Sequence, residues 1–221
     1  MNELDPQAAT TRVIAAALDL FAEQGFEATS VEQIAKAAGV SRSTFFRQFG
    51  GKDDVIFADH ERLLEVLREF LTHQHDDPWA TVCEGAMLVF RHFSDNADVA
   101  RRRYRLVREI PALREREIVA VFRYERLFDE YLREQLPEID PVDAVSYSAL
   151  IAAVHNHVLR QMLRGHTVSP TILRRHLDTA MRRFGVLDSE ASPQADDLVV
   201  AVFPRSMPAA EIARRVSAQI G

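Results

Sequence analysis

The side chains best suited to recognising a charged, hydrogen-bonding partner are concentrated within residues 33–52. This stretch has four basic residues and no acidic one: Lys36, Arg42, Arg47 and Lys52. Arginine pairs with the acceptor edge of guanine, and glutamine, here Gln48, pairs with adenine. The formal net charge of the whole chain is −6, which argues against indiscriminate coating of nucleic acid. The pattern therefore predicts a focused basic patch that recognises a specific nucleic-acid site.

Three short helices must present these residues. The first is predicted from about Thr11 to Gln24, and Gly25 ends it. A second begins at Thr29 or Ser30, both of which have capping-box spacing, and ends at Gly39. Ser41 caps a third helix that continues to about Phe49. Two short helices joined by a glycine-containing turn are typical of a helix-turn-helix.

The third helix has one buried face and one outward face. Phe45 and Phe49 are four residues apart and must face the first two helices. The outward face is then formed by Ser43, Thr44, Arg47 and Gln48, with Arg42 at the first helical position. Ser30, Ser41 and Lys52 lie at helix N-termini, where backbone N–H groups favour a phosphate. The simpler alternative for each exposed residue is a solvated helix surface, which the absence of acidic residues disfavours.

The segment Phe21–Ala58 resembles the DNA-binding region of the TetR family of bacterial transcriptional regulators. The shared features are F-x-x-x-G-[FY], T-S-V-x-x-I-A, A-G-V-S, S-T-F-F-R-Q-F and the lysine that follows. The resemblance implies a homodimer on a palindromic operator in double-stranded DNA, with family DNA contacts at Ser30, Arg42, Thr44, Phe46, Gln48 and Lys52. Phe46 replaces a common tyrosine, so a phosphate hydrogen bond is lost there. Glu32 would repel the DNA backbone unless it only caps its helix.

The remaining chain is predicted to be helical. Helices are expected at Lys52–Thr72, Pro78–Ser94, Ala97–Glu109, Pro111–Gln135, Pro141–Arg164 and Pro170–Phe184. The predicted fold is all-α, with a helix-turn-helix domain at 1–52 and a larger ligand-sensing and dimerisation domain at 53–187. Residues 188–221 form a tail of unknown role, with a strand-like run at Leu198–Phe203 and a short helix after Pro208.

The segment Arg101–Leu132 contains the pattern E-x-P-A-L-R-x-R-E. It resembles C-terminal domains of TetR regulators of the acyl-CoA-like-ligand or mycofactocin type, and so implies an acyl-CoA effector. The candidate ligand residues are Phe90, Phe93, Tyr104, Arg105, Arg108, Phe122 and Asn156. Two plainer interpretations stay open: the arginines form surface salt bridges, and the aromatic residues are ordinary core. Dimerisation is expected through the helices Val145–Leu163 and Thr171–Phe184, whose apolar stripes include Leu177.

Several classes of protein are excluded by what the sequence does not contain. The single cysteine, Cys83, rules out a disulfide framework and a thiolate zinc site, and we expect it to be buried and inert. No apolar run approaches the roughly 20 residues of a membrane span, so a cytoplasmic protein is expected. His155 and His157 lie on opposite helix faces and cannot share a metal. No catalytic motif was found, and no cofactor is expected.

These observations predict a ligand-responsive DNA-binding regulator, most simply a repressor that a small effector releases from its operator. One alternative is a regulator that activates transcription or does not respond to a ligand. A remote alternative is a helical-bundle enzyme with a vestigial DNA-binding domain. The sequence leaves open the operator, the effector and the regulated genes.

Overall fold

The computed structural model describes residues 6–187, and side chains from residue 10. All regular elements in this range are α-helices, so the predicted all-α class is confirmed. They are α1 (Pro6–Gln24), α2 (Val31–Ala37), α3 (Arg42–Phe49), α4 (Lys52–Val55), α5 (Ala58–Thr72), α6 (Pro78–Asp95), α7 (Ala97–Glu109), α8 (Pro111–Gln135), α9 (Pro141–Leu163) and α10 (Pro170–Phe184). The predicted tail structure lies outside the described residues.

One predicted helix is wrong. Lys52–Thr72 was expected to be continuous, but the structure breaks it between α4 and α5. Val55, Ile56 and Phe57 are all buried, with at most 6% of each residue exposed. A continuous helix turns by about 100° per residue and would point at least one of three successive side chains outward. The break lets all three pack into the same apolar cluster.

A first apolar cluster holds α1–α4 together. It contains the inward residues of α1, Ile34 and Ala35 of α2, and Phe45 and Phe49 of α3. Val107, near the end of α7, and Leu113, near the start of α8, also belong to it. The corner between α7 and α8 is therefore part of the core beneath the helix-turn-helix. The domain boundary at residue 52 stays a prediction.

A second apolar cluster is formed by α5–α10. Phe90 and Phe93 of α6, Phe128 of α8 and Tyr147 of α9 are its large members. Leu177 of α10 is fully buried in this cluster, as are Leu173, Ala180 and Met181. The expectation that the α10 stripe forms a subunit interface is wrong for these residues, because they pack inside their own chain. None of the helices in residues 6–187 is long and apolar enough to cross a membrane.

Leu177→Ala should lower the free energy of unfolding by about 2–5 kcal/mol, because it leaves a cavity in a closed core. Val142→Ala on α9 is the matched control, since Val142 is 68% exposed. It should change the free energy of unfolding by less than about 0.5 kcal/mol. Urea denaturation at equilibrium measures both values. Equal effects of the two substitutions would contradict this assignment of the α10 stripe.

Candidate DNA-binding surface and ligand cavity

Helix α2 is capped at both ends, and its C-terminal cap forms the turn to α3. The N-cap of α2 is Ser30, whose hydroxyl accepts from Gln33 N (3.2 Å), while Ser30 N donates to Gln33 Oε1 (2.8 Å). At the other end, Val40 N donates to Ala35 O (2.9 Å) and Gly39 has a φ of 70°. This is a Schellman motif, which needs a left-handed residue where Gly39 stands. The turn sets the angle at which α3 leaves the core.

The outward face of α3 is the one that the sequence predicts. Ser41 caps the helix by accepting from Thr44 N (3.0 Å), and Phe45 and Phe49 are buried. The candidate contacts are exposed or half-buried: Ser30, Ser41, Arg42, Ser43, Thr44, Phe46, Arg47 and Gln48. Phe46 is 42% exposed, which is unusual for a large apolar ring. Exposed arginine, glutamine and hydroxyl groups on a short helix match the requirements of a major-groove reader.

Glu32 has a role that the sequence did not indicate. Gln33, and not Glu32, completes the capping box with Ser30, while Glu32 accepts from Arg42 Nε at 2.8 Å. The Arg42 guanidinium also lies over the Phe46 ring, 5.5 Å from its centre. Both partners are about half exposed or more, so this pair is easily exchanged for another acceptor. Glu32 thus holds Arg42 against Phe46 on the outward face.

Lys52 is also engaged within the chain. Its Nζ donates to Phe26 O at 2.9 Å and lies 4.5 Å from the centre of the Phe26 ring. Its side chain is 23% exposed and lies 3.6 Å from a Glu27 carboxylate oxygen. Lys52 therefore ties the start of α4 to the loop after α1. Any phosphate that Lys52 binds must compete with these contacts.

A closed cavity of about 50 Å³ lies among α5, α6, α7, α8 and α9. Apolar side chains of α6, α8 and α9 form most of its wall, including Phe93 and Leu159. The polar residues that line it are His60, Arg103, Glu117, Tyr124, His155, Asn156 and Arg160. The volume is enough for a few water molecules and well below the roughly 300 Å³ of a typical ligand pocket.

A buried ion pair crosses one end of this cavity. Arg103 Nη1 on α7 donates to both oxygens of Asp59 on α5, at 2.6 and 2.5 Å. His92 Nε2 of α6 lies 3.7 Å from the same carboxylate, and the guanidinium lies over the Phe93 ring. Burial alone would raise the pKa of Asp59, but the Arg103 charge and the His92 hydrogen bond hold that pKa below its usual range. The pair joins three helices at the cavity wall.

Two histidines on the cavity wall are neutral at pH 7. Burial, together with the Arg103 charge, lowers the pKa of His60 to about 3. Burial lowers the pKa of His155 to about 4. His60 Nδ1 lies 3.2 Å from the Tyr124 hydroxyl, and His155 Nδ1 lies 3.3 Å from Asn156 Oδ1. His155 Nε2 is buried and has no hydrogen-bond partner.

The predicted ligand residues are not all brought together. Phe93 and Asn156 line the cavity, while Phe90 is fully buried in the core and is not part of the wall. Phe122 is 60% exposed, so its assignment to an apolar pocket is wrong: it lies on the outer side of α8. Arg105 and Arg108 are exposed and lie with Tyr104 in a separate surface groove. Sequence reasoning missed Asp59, His60, Arg103 and His155. A signal for Arg103 was present, because it shares the i, i+3, i+4, i+7 stripe of α7 with Ala100, Tyr104 and Val107.

Cys83 is buried, as the sequence predicts. Its side chain is fully buried, and burial raises the pKa of the thiol to about 11, so it is not a nucleophile at neutral pH. Its sulfur lies 3.3 Å from the Tyr147 hydroxyl. Among residues 6–187 no group of three or more His, Cys, Asp or Glu side chains is arranged to hold a metal ion.

Comparison with known proteins places the basic surface in a family. The sequence profile described as "Bacterial regulatory proteins, tetR family" matches residues 13–58, which contain α2, α3 and the turn between them. Residues 13–58 therefore resemble the TetR family. The match covers the capped turn, the outward face of α3 and Lys52.

Curated relatives of this chain are named as transcriptional regulators. A candidate regulator of mycofactocin biosynthesis from Mycobacterium tuberculosis, MftR, is 30% identical over 48% of this chain and 59% of its own length. The fatty acid metabolism regulator protein of Bacillus subtilis is 31% identical over 38% of this chain and 43% of its own length. The chain thus spans less than two thirds of either relative.

Solved structures extend the likeness to the helical fold of this chain. The fatty acid degradation regulator FadR from Bacillus halodurans superposes with a TM-score of 0.53 at 18% identity. The superposition covers 81% of this chain and 97% of that one. At this identity the match establishes the fold and no more.

Because His155 is neutral in the folded chain at pH 7, the free energy of unfolding should depend on pH. The pKa of His155 is about 4 in the folded chain and near 6.5 in the unfolded chain, so between these values the unfolded state binds more protons. Stability should therefore fall as the pH drops from 7 towards 4, by about 2–3 kcal/mol from this group. His155→Leu should flatten that part of the curve, and His157→Leu, an exposed position on α9, should leave it unchanged. Urea unfolding at several pH values measures the difference; identical curves for wild type and His155→Leu would refute the assignment.

Proposed function

We propose that this chain is a homodimeric DNA-binding transcriptional regulator, a repressor that a small effector releases from a palindromic operator. The observation that most directly supports DNA binding is the outward face of α3, with Arg47 and Gln48 exposed and free of ion pairs among the described residues. Its opposite face is fixed in the core by Phe45 and Phe49. A rigid helix with free base-reading groups costs little to order when it enters a major groove.

The subunit interface is proposed on the outer faces of α9 and α10. A surface groove of about 340 Å³ between them contains Leu150, Ala153 and Val154 of α9 with His176 and Thr179 of α10. Val142 and Val145 on α9 are exposed large apolar residues, which a second copy of the chain would cover. A twofold dimer places two copies of α3 in successive major grooves, about 34–36 Å apart.

The route from effector to DNA is proposed to run through α7. Arg103 lines the cavity, and Val107, one turn later on the same helix, is buried in the apolar cluster beneath α1–α4. Because the cavity holds only about 50 Å³, an effector must move its walls apart to bind. A displacement of α7 shifts Val107 and, with it, the apolar cluster that supports the helix-turn-helix. The effector thus binds two conformations unequally, as allosteric release requires.

A long-chain acyl-CoA is the effector that we propose. An open groove of about 440 Å³ contains Arg105, Arg108 and Arg164, and it shares Leu163 with the cavity wall. Guanidinium groups suit the phosphates of a CoA head, and the apolar cavity suits an acyl chain. The likeness to a fatty acid metabolism regulator protein is consistent with such an effector. If no effector releases the chain from its operator, the outward face of α3 would fit a ligand-independent or activating regulator.

Gln48→Ala should weaken binding to the preferred operator by about 1–3 kcal/mol and relax base preference, because it removes a base contact. Lys52→Ala should weaken binding to every duplex and flatten the salt dependence, because it removes a phosphate contact. The operator is obtained by selection from random duplexes, and affinities are measured by fluorescence anisotropy at several salt concentrations. If Gln48→Ala lowers affinity for selected and random duplexes equally, α3 does not recognise bases.

Acyl-CoAs of increasing chain length should release labelled operator from the wild-type chain, and the matching free fatty acids should be much poorer effectors. Arg105→Glu should reduce release without changing operator affinity, because its side chain is exposed in the groove and remote from α3. Release is measured as loss of anisotropy at fixed protein concentration. Failure of every acyl-CoA to displace the operator would reject this effector and leave the DNA-binding proposal standing.

A further inference from the structure

Arg103 offers more hydrogen-bond donors than the chain uses. Only Nη1 donates to Asp59, and both oxygens of that carboxylate accept from this one nitrogen. A guanidinium has five N–H groups, so the three on Nε and Nη2 find no acceptor among residues 10–187. Only 8% of the Arg103 side chain is exposed, and the residue lines the cavity. Because Arg103 borders the cavity, these unused donors are accessible to an acceptor that enters it.

A second polar atom on the same wall is also unpaired. His155 is 7% exposed, and its Nε2 has no partner, whereas its Nδ1 is within hydrogen-bond distance of Asn156. His155 lies on α9 and Arg103 on α7, so the two observations are independent in sequence and in element. The rest of the wall is largely apolar. Two unsatisfied polar groups on an apolar wall are typical of a binding site that orients a ligand by a few polar contacts.

The electrostatics of the wall favour a neutral polar group. Asp59 already balances the charge of Arg103, and Glu117 and Arg160 add one charge of each sign to the wall. The lowered pKa values of His60 and His155 keep both rings neutral. A ligand carboxylate on Arg103 would bring a second negative charge next to Asp59 in a buried place, which is costly. A carbonyl oxygen accepts the same hydrogen bonds without adding charge.

We propose that Arg103 is the residue that recognises the effector, and that the cavity binds an apolar molecule through a neutral carbonyl oxygen that accepts from Arg103 Nε or Nη2. This rests on the proposed effector-controlled function and specifies the chemistry of its site: a ketone, ester or thioester is accepted, and the corresponding free acid is not. Asp59 acts as a positioning residue, because it holds the guanidinium in one orientation.

The test measures binding of two probes of equal chain length, hexan-2-one and hexanoate, to the full chain by isothermal titration calorimetry. The wild type should bind the ketone at least tenfold more tightly than the carboxylate. Arg103→Met combined with Asp59→Asn should lose at least tenfold in ketone affinity, because the donors are gone and no buried charge is left unpaired. Arg102→Met is the control, since Arg102 is the neighbouring residue, pairs with Asp19 and does not line the cavity. It should bind the ketone as the wild type does.

Three results would overturn the inference: no saturable binding of hexan-2-one, equal or tighter binding of hexanoate, or unchanged ketone affinity in the double variant. Circular dichroism establishes that each variant is folded; if the double variant does not fold, Arg103→Lys replaces it and should show the same loss, since a lysine cannot present the guanidinium fork. Operator binding by the wild type is measured separately. Its failure would reject the proposed function, whereas a failure confined to the ketone arms rejects only this role of Arg103.

Discussion

The buried pair between Asp59 and Arg103 is the constraint on which the rest of the arrangement depends. It joins α5 to α7 beside the cavity, and its members are almost fully buried. Breaking such a pair by removing one partner costs about 3–5 kcal/mol, because the other charge is left without compensation. The geometry of α5 and α7 is therefore discrete: either both groups are paired, or the helices rearrange. A regulator requires such an element with two arrangements.

Position along α7 explains how a small cavity can influence a distant surface. Arg103 faces the cavity, and Val107 is one turn further along, in the core that supports α3. Asp54 on α4 accepts from Arg116 on α8, which adds a surface contact between the same regions. Packed helices move as units rather than bending continuously. In the proposed mechanism, a displacement of α7 at the cavity would also displace Val107 and the core that supports α3.

Local signals in the sequence were enough to predict the capped turn and the exposed face of α3. Ser30, Gly39 and Ser41 specify caps and a left-handed turn through backbone chemistry that acts over a few residues, and Pro111, Pro141 and Pro170 begin their helices as expected. The cavity was not predictable in this way. Asp59 and Arg103 are 44 residues apart, and although helical spacing places Arg103 on the buried stripe of α7, it does not identify the partner. Phe122 and Leu177 were misassigned because helical spacing identifies a face and not what covers it.

The central claim, that the buried pair positions the proposed recognition helices, is tested most directly by the distance between the two copies of α3 in the proposed dimer. A spin label on Gln48→Cys reports it, since Cys83 is buried and its thiol is unreactive. The distance distribution from pulsed dipolar spectroscopy is compared with and without Asp59→Asn. The account predicts a narrow distribution in the labelled wild type and a shifted or broadened one in the variant. Superimposable distributions from folded dimers would contradict it.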